Sequence, residues 1–303
     1  MKILLCGQMP PTEYQAWLQV LQAASPPAWE WLSLAQARAR AHEVEVAVVA
    51  NPEPGSLQGL PRLRLIQSLW AGVDRLLDDA SLPAEVPLAR MVDPAMTRAM
   101  VETALWAVLS LHRGFFDYAR RQAQGQWQQH AQRRAQHVPV LVLGQGTMGG
   151  AVGEALQALG YPVQGWRRAD GGSAVAPWLS DVRIVINLLP LTPKTRGLIN
   201  AGFLAALPSG ACLVNLGRGA HVVESDLLAA LDAGHLRHAV LDVFQTEPLP
   251  AGHPFWRHPA VTVLPHVAAL TDLSSAAAVV ADNLQRLCSG QALLHLVDRG
   301  RGY

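Results

Sequence analysis

The sequence lacks the features that mark secreted, membrane-spanning or nucleic-acid-binding proteins. Its 303 residues include three widely spaced cysteines, Cys6, Cys212 and Cys288, and none belongs to a CxxC pair. This odd number predicts reduced thiols and a cytoplasmic location. No apolar run reaches the roughly 18 residues that a membrane-spanning helix needs. The 24 basic and 23 acidic residues leave a net charge of +1, so neither nucleic acid nor an anionic membrane is expected as a partner.

Several common catalytic signatures are also missing. The sequence contains no HExxH motif and no GxSxG motif. His235 and His238 stand three residues apart and could share a helix face, but no third ligand accompanies them. We therefore expect no metal site.

The composition and the hydrophobic pattern predict a two-domain α/β protein. Hydrophobic residues make up 50% of the chain and charged residues 16%, which excludes disorder. At roughly 150 residues per domain, the length suggests two domains. Short β-branched runs alternate with longer helical stretches, which predicts parallel sheets covered on both faces. The predicted strands are Lys2–Cys6, Glu43–Ala50, Leu63–Ser68, Pro139–Leu143, Arg183–Leu188, Ala211–Asn215, Ala239–Val243 and Val261–Leu264, and the predicted helices include Glu13–Ala23, Ala151–Leu159, Glu224–Ala233 and Thr271–Leu287.

One helical stretch is unusually long, from about Ala95 to Gln129. Its apolar stripe, with Trp106 and Phe115, predicts packing in a core or a subunit interface. The segment Gln122–His137 is rich in Gln, Arg and His and is expected to be a solvated loop.

A glycine-rich loop follows the predicted strand that ends at Leu143. Gly144, Gly146 and Gly149 form a GxGxxG motif between a strand and a helix, the context that dinucleotide binding requires. In this motif the glycines allow a tight turn, a close approach of the pyrophosphate and close helix–strand packing. The sequence therefore predicts a dinucleotide-binding domain.

The next strand ends at Trp166 without the acidic residue that would bind the ribose 2′-hydroxyl of NAD. Arg167 and Arg168 follow instead, and a guanidinium group pairs well with a 2′-phosphate. A solvated basic turn is the alternative explanation. The pattern favours NADP, with NADPH preferred over NADH.

Three ionisable residues each follow a predicted strand. Arg218 lies in Asn-Leu-Gly-Arg-Gly, Glu247 lies in Gln-Thr-Glu-Pro, and His266 lies in Leu-Pro-His-Val. Each alone could be an ordinary surface, turn or loop residue. Together, at the carboxyl ends of strands in one sheet, they supply an anion anchor, an orienting carboxylate and a proton donor, as carbonyl reduction requires.

With these segments the chain resembles the D-isomer-specific 2-hydroxyacid dehydrogenases, and among them the bacterial glyoxylate/hydroxypyruvate reductases of type A. The likeness extends over nearly the whole chain. Further motifs carry it, namely Ser-Leu-Trp-Ala-Gly-Val-Asp at 68–74, Asn-Leu-Leu-Pro-Leu-Thr-Pro at 187–193, Trp-Arg-His-Pro at 256–259 and the sequence 297–303.

The resemblance implies a role for each matching residue. Arg218 would bind the substrate, His266 would donate the proton, and Glu247 would hold the His266 ring and favour its protonated form. Trp70 and the backbone of Ala71, Gly72 and Val73 would bind the substrate from the other domain. The cofactor-binding residues would be Gly144, Gly146, Thr147, Met148, Gly149, Trp166, Arg167, Arg168, Leu188, Pro190, Leu216, Gly217, Arg218, Asp242 and His266.

The resemblance also implies an architecture and a reaction. Two Rossmann-like, doubly wound domains would flank an active-site cleft, with residues 1–95 and 270–303 forming the substrate domain and residues 96–269 the dinucleotide domain. A homodimer would reduce glyoxylate to glycolate and hydroxypyruvate to D-glycerate with NADPH. The alternatives are a dehydrogenase for another 2-oxo acid and a dinucleotide-sensing binding protein of the same fold.

Two positions depart from the family pattern. Many members carry a small residue where this chain has Trp70, whose ring could line the substrate pocket or pack beneath its loop. The nearest relatives have a tryptophan before the Pro-rich loop that follows the second predicted strand, and in this chain the corresponding residue is Ala50.

Overall fold

A computed structural model describes residues 1–167, 175 and 178–303 of the chain. These residues form two compact units. Unit 1 comprises Met1–Met96 and Thr271–Tyr303, and unit 2 comprises Thr97–Leu270. Within the described ranges, no helix is long and apolar enough to cross a membrane.

Unit 1 is built on a five-stranded parallel sheet in the order β2-β1-β3-β4-β5. Its strands are nearly all apolar and buried, as expected for a sheet with both faces covered. The strands are β1 (Lys2–Gly7), β2 (Glu30–Leu32), β3 (Val44–Ala50), β4 (Leu65–Ser68) and β5 (Leu88–Ala89), and the helices are α1 (Pro11–Ala23), α2 (Leu34–Ala39), α3 (Asp74–Leu77) and α9 (Leu273–Cys288).

Unit 2 contains a six-stranded parallel sheet in the order β11-β10-β9-β8-β6-β7. Its strands are β6 (Val140–Leu143), β7 (Val163–Trp166), β8 (Ile184–Asn187), β9 (Ala211–Asn215), β10 (Leu236–Leu241) and β11 (Val261–Val263), and its helices are α4 (Pro94–Arg113), whose first residues belong to unit 1, α5 (Phe115–Ala123), α6 (Thr147–Ala158), α7 (Ala201–Ala205) and α8 (Glu224–Asp232).

Alternate residues of β6 enter two different hydrophobic cores. Leu141 and Leu143 belong to one core, whereas Val140 and Val142 belong to the other. The two-residue period of a strand explains this division, because successive side chains point to opposite faces. Helices cover both faces of the sheet, which confirms the predicted doubly wound α/β class.

The predicted single helix from Ala95 to Gln129 is wrong. Helix α4 ends at Arg113, and Gly114 follows in the left-handed region with φ of 70°. Glycine adopts this conformation without a side-chain clash, so it breaks the helix although the apolar pattern continues. Helix α5 then ends at Ala123. The exposed residues beyond it are largely irregular, as the polar composition indicates.

Candidate active site

The glycine-rich loop lies between β6 and α6, beside the end of β8. Gly144 has φ of 96°, and a Cβ there would lie 2.7 Å from the carbonyl oxygen of Leu188. A Cβ on Gly149 would lie 1.7 Å from the carbonyl oxygen of Gly144. Both positions therefore exclude any larger residue. β6 has β7 on one side and β8 on the other, so the strand order reverses at β6. Open parallel sheets bind ligands at such a switch point.

Gly146 differs from the other two glycines because its surroundings are open. A Cβ added there would meet no heavy atom within 4 Å among the described residues, and Gly146 is the N-cap of α6. The first backbone N–H groups of a helix lack acceptors within the helix and attract anions. Thr147 is exposed and Met148 half-buried in this first turn. The loop thus fits a dinucleotide pyrophosphate.

Strand β7 ends in a buried tryptophan followed by an exposed arginine. Trp166 is only 3% exposed and packs in a core of unit 2, while its carbonyl accepts a hydrogen bond from the N–H of Gly144. Arg167 is exposed directly beyond it. Arg168, the second arginine of the prediction, lies outside the described residues.

Arg218 follows β9 in a turn whose backbone path requires glycine. A Cβ on Gly219 would lie 1.8 Å from the carbonyl carbon of Phe244, so the Arg218 turn packs directly on the backbone that precedes Glu247. The Arg218 side chain is half-buried, and its Nη1 donates to the carbonyl of Gly217 at 2.9 Å.

His266 and Glu247 form a hydrogen-bonded pair. His266 Nδ1 lies 2.7 Å from Glu247 Oε2, and the backbone N–H of Phe244 donates to Glu247 Oε1 at 2.9 Å. The imidazole is 51% exposed, whereas the carboxylate side chain is 25% exposed. Because Nδ1 faces the carboxylate, Nε2 is the ring nitrogen that remains for a ligand.

The charges around Glu247 keep its carboxylate ionised. Burial alone would raise its pKa, but hydrogen bonds from His266 and Phe244 and the charges of His266 and Arg218 outweigh burial and lower the pKa below its ordinary value. The structure thus brings Arg218, Glu247 and His266 together.

Asp242 shapes the turn that carries His266. Its carboxylate accepts hydrogen bonds from the backbone N–H of Val267 at 2.7 Å and of Ala268 at 3.0 Å, and its carbonyl accepts from the N–H of His266 at 2.9 Å. Asp242 is 1% exposed, and burial raises its pKa. His266 has φ of 55°, which non-glycine residues adopt rarely, so these bonds hold an otherwise unfavourable turn.

The remaining predicted cofactor residues lie at the ends of β8 and β9. Leu188 and Pro190 are half-buried in the segment after β8, whereas Leu216 and Gly217 are buried after β9. Between these segments lies His221, a fully buried histidine that the sequence analysis did not single out. A single histidine in an apolar stretch forms no sequence pattern from which its hydrogen-bond partners could be predicted.

The Trp70 loop follows β4 in unit 1. The Trp70 ring meets buried Trp17 edge to face, with centroids 6.1 Å apart, and remains partly exposed. The backbone N–H of Trp70 donates to Ser68 Oγ at 3.0 Å. In the part of the chain that the structure describes, the N–H groups of Ala71, Gly72 and Val73 donate no hydrogen bond. The Trp70 side chain therefore packs on the core of unit 1. The backbone N–H groups of the next three residues remain available to a hydrogen-bond acceptor.

Ala50 is fully buried at the end of β3. Among residues 1–167, 175 and 178–303, no three His, Cys, Asp or Glu side chains are grouped to hold a metal ion.

Comparisons with known proteins agree on one family. The sequence model for the D-isomer-specific 2-hydroxyacid dehydrogenase NAD-binding domain matches residues 105–268. A glyoxylate/hydroxypyruvate reductase A of Serratia proteamaculans is 41% identical over 274 residues, which are 86% of this chain and 88% of that protein. One of Klebsiella pneumoniae is 40% identical with the same coverage.

Solved structures are similar over the full length. A D-isomer-specific 2-hydroxyacid dehydrogenase of Xanthobacter autotrophicus in complex with NADPH has a TM-score of 0.92 at 37% identity, covering 100% of this chain and 99% of that one. An NADPH-dependent glyoxylate/hydroxypyruvate reductase of Sinorhizobium meliloti in complex with NADP has a TM-score of 0.91 at 33% identity, again covering 100% and 99%.

Proposed function

The chain belongs to the D-isomer-specific 2-hydroxyacid dehydrogenase family, and from this premise we propose that it reduces glyoxylate to glycolate and hydroxypyruvate to D-glycerate with NADPH. It is an NAD(P)-dependent oxidoreductase. The observation that carries the proposal is the His266–Glu247 pair beside Arg218, because it combines a proton donor, its orienting carboxylate and a cation for an acidic substrate.

His266 acts as the general acid in this proposal. When bound, NADPH supplies a hydride to the carbonyl carbon. His266 Nε2–H donates its proton to the carbonyl oxygen, which becomes the hydroxyl group of the product. Glu247 Oε2 stabilises the protonated ring before transfer and fixes its orientation. The exposed imidazole regains a proton from water after product release.

The substrate carboxylate would be bound by backbone and side-chain donors. Arg218 offers a charge-assisted hydrogen bond, and its planar guanidinium can bind the carboxylate in bidentate fashion. We propose that the N–H groups of Ala71, Gly72 and Val73 contribute further bonds, since they have no acceptor within the described chain.

The cofactor would be held chiefly by the glycine loop and the residues that follow β7. The first turn of α6, with Thr147 and Met148, would bind the pyrophosphate, and Gly146 leaves room for it. Arg167 and Arg168 would pair with the 2′-phosphate. Leu188 and Pro190 would lie beside the cofactor, and Asp242 would lie near the nicotinamide carboxamide.

An assay of NADPH oxidation with a panel of 2-oxo acids tests the proposal. Glyoxylate and hydroxypyruvate should give the highest kcat/KM values, and pyruvate and phenylpyruvate lower ones. Preference for another 2-oxo acid would replace the proposed substrate within the same chemistry. Tight NADPH binding without turnover of any panel member would instead indicate a dinucleotide-sensing binding protein.

We also propose that the protein is a cytoplasmic homodimer. Cys6 and Cys212 are buried free thiols and Cys288 is an exposed one, which suits a reducing compartment. Unit 2 exposes large apolar side chains, including Trp127 at 96%, which a second copy of the chain would cover.

A further inference from the structure

His221 lies three residues after Arg218, at the end of a short 3-10 turn, and is fully buried. Its Nδ1 lies 2.9 Å from Asn187 Nδ2 and 3.3 Å from the backbone nitrogen of Arg218. Its Nε2 lies 3.2 Å from the carbonyl oxygen of Pro190. The ring thus connects the segment after β8 with the segment after β9.

These contacts select one form of the ring. Both groups that face Nδ1 are N–H donors, so Nδ1 must offer its lone pair. The group that faces Nε2 is a carbonyl, so Nε2 must carry the hydrogen and donate it to Pro190. Only the neutral tautomer protonated at Nε2 satisfies all three contacts, and the other tautomer would set N–H against N–H.

Two asparagines complete the network around Arg218. Asn187 and Asn215 are fully buried and face each other in register at the ends of β8 and β9. Asn187 Nδ2 donates to Asn215 Oδ1 at 2.8 Å, and Asn215 Nδ2 donates to the carbonyl of Arg218 at 3.0 Å. The Arg218 peptide groups are therefore bound on both sides, the N–H by His221 and the carbonyl by Asn215.

We propose that His221 is a positioning residue for the reductase reaction, acting in two directions. Through Nδ1 it fixes the backbone of Arg218, which presents the guanidinium to the substrate, and through Nε2 it fixes Pro190 on the cofactor side. The inference rests on the proposed function for the roles of Arg218 and Pro190. The buried network holds both because an unpaired polar group inside it would be costly.

Two substitutions separate the contact of His221 with the Arg218 backbone from its contact with Pro190. In His221→Asn the amide oxygen can replace Nδ1 as acceptor, but the side chain is too short to reach Pro190. In His221→Gln the amide nitrogen can replace Nε2 as donor, but the acceptor for the Arg218 N–H is lost. When a buried polar group loses its hydrogen-bond partner, an equilibrium or rate constant that depends on it changes by roughly 5–150-fold.

Each variant should therefore have its own kinetic signature. His221→Gln should lower kcat/KM for the 2-oxo acid by about 5–150-fold while the Kd for NADPH stays within about twofold. His221→Asn should raise the Kd for NADPH by at least about fivefold, with a smaller effect on the KM for the 2-oxo acid. NADPH binding is measured by fluorescence titration, without turnover.

The matched control is His238→Gln. His238 is also a buried histidine of unit 2, but it lies near the start of β10, where its Nε2 contacts Thr262 Oγ1 at 2.9 Å. This substitution should leave kcat/KM for the 2-oxo acid and the Kd for NADPH within twofold of the wild type, even if it changes the melting temperature. The positioning role is refuted if each His221 variant changes kcat/KM and the Kd for NADPH by the same factor. It is also refuted if the His221 variants change these constants no more than His238→Gln does.

A double-mutant cycle gives a second, independent test. In an Arg218→Ala background there is no guanidinium to position, so adding His221→Gln should lower kcat/KM by less than twofold further. An undiminished loss in that background would overturn the proposal. If the wild type reduces no 2-oxo acid, the proposed function fails. The NADPH affinity of His221→Asn still tests the Pro190 bond: an increase of at least about fivefold in the Kd supports that bond, and an unchanged Kd refutes it.

Discussion

Glu247 divides its two carboxylate oxygens between a backbone N–H and the imidazole of His266. Oε1 accepts the backbone N–H of Phe244, which fixes the carboxylate on its own loop, and Oε2 accepts from His266. The same side chain thus anchors itself and orients the imidazole. This arrangement leaves Nε2 for the proton transfer that we propose for His266.

Replacement of His266 by alanine should lower kcat by about 10²–10⁴-fold, the usual contribution of general acid catalysis. NADPH binding should barely change, because the glycine loop and the arginines after β7 remain intact. Steady-state kinetics and a fluorescence titration measure the two effects. The control is His137→Ala, an exposed histidine of unit 2. Near-normal turnover by folded His266→Ala would assign the proton transfer to another group.

The lowered pKa of Glu247 predicts a pH-dependent stability difference between the wild type and Glu247→Gln. A group whose folded pKa lies below its unfolded value stabilises the fold above the unfolded pKa and loses this effect as pH falls through the folded pKa. The advantage of the wild type in melting temperature should therefore be greatest above the ordinary value of 4.5 and shrink on acidification below it.

The control for this series is Glu154→Gln, since Glu154 is exposed on α6 and its carboxylate has no ion pair or hydrogen bond within the described residues. Melting curves at about pH 3, 4, 5 and 6 measure both differences. An advantage of Glu247 that grows on acidification would show that the carboxylate is not favourably paired in the folded state.

At the scale of elements, the site is assembled from the carboxyl ends of parallel strands. Asn187 and Asn215 end β8 and β9, Asp242 directly follows β10, and all three are buried. Asn187 donates to Asn215, Asn215 donates to the carbonyl of Arg218 after β9, and Asp242 accepts from the backbone N–H of Ala268 after β11. Parallel strands bring these ends to one edge of the sheet. These buried polar groups hold the loops after β9 and β11 in place, and the exposed residues of the loops remain available to ligands.

The two arginines that follow β7 in the sequence predict the cofactor preference. Each hydrogen bond to a charged group contributes about 1.5–3 kcal/mol, so kcat/KM with NADPH should exceed that with NADH by at least about tenfold. The double variant Arg167→Ala and Arg168→Ala should remove most of this gap by raising the KM for NADPH, with NADH use nearly unchanged. Kinetics with both cofactors measure the preference.

Added salt should weaken the preference, because Arg167 is exposed and its charge is screened. The control is Arg257→Ala, an exposed arginine before β11 on unit 2. Equal use of both cofactors by the wild type would refute a role for the arginines in 2′-phosphate binding.

At the scale of the whole molecule, the exposed apolar side chains of unit 2 predict self-association. Trp106 is 42%, Phe115 53% and Trp127 96% exposed, on α4, on α5 and in the irregular segment that follows. Light scattering after gel filtration should give about twice the chain mass of 32.6 kDa. Trp127→Glu should shift the protein toward the monomer, because a charge buried in an interface lacks a partner.

Leu159→Glu is the matched control for the assembly, since Leu159 is 48% exposed directly after α6. It should leave the mass unchanged. A monomeric wild type at micromolar concentration would contradict the dimer, and a dimer that tolerates Trp127→Glu would place the interface elsewhere.

Local sequence was a good guide where one physical cause dominates. The apolar strands, the glycine loop and helices such as α8 and α9 follow from periodicity and from glycine geometry, and each is found near its predicted place. The short strands β2 and β5 were missed, because three or two residues give no period. The single long helix was wrong because the left-handed Gly114 overrides a continuing apolar stripe.

The sequence by itself determined the α/β class and the dinucleotide loop, since these depend on local periodicity and spacing, and its resemblance to a family implied that Glu247 holds the His266 ring. Only the tertiary structure decided the hydrogen-bond partners of Asp242 and His221. Asp242 and Val267 are 25 residues apart, and Asn187 and His221 are 34 apart. Such pairs form because parallel strands return to the same edge of the sheet, a relation that no local pattern records.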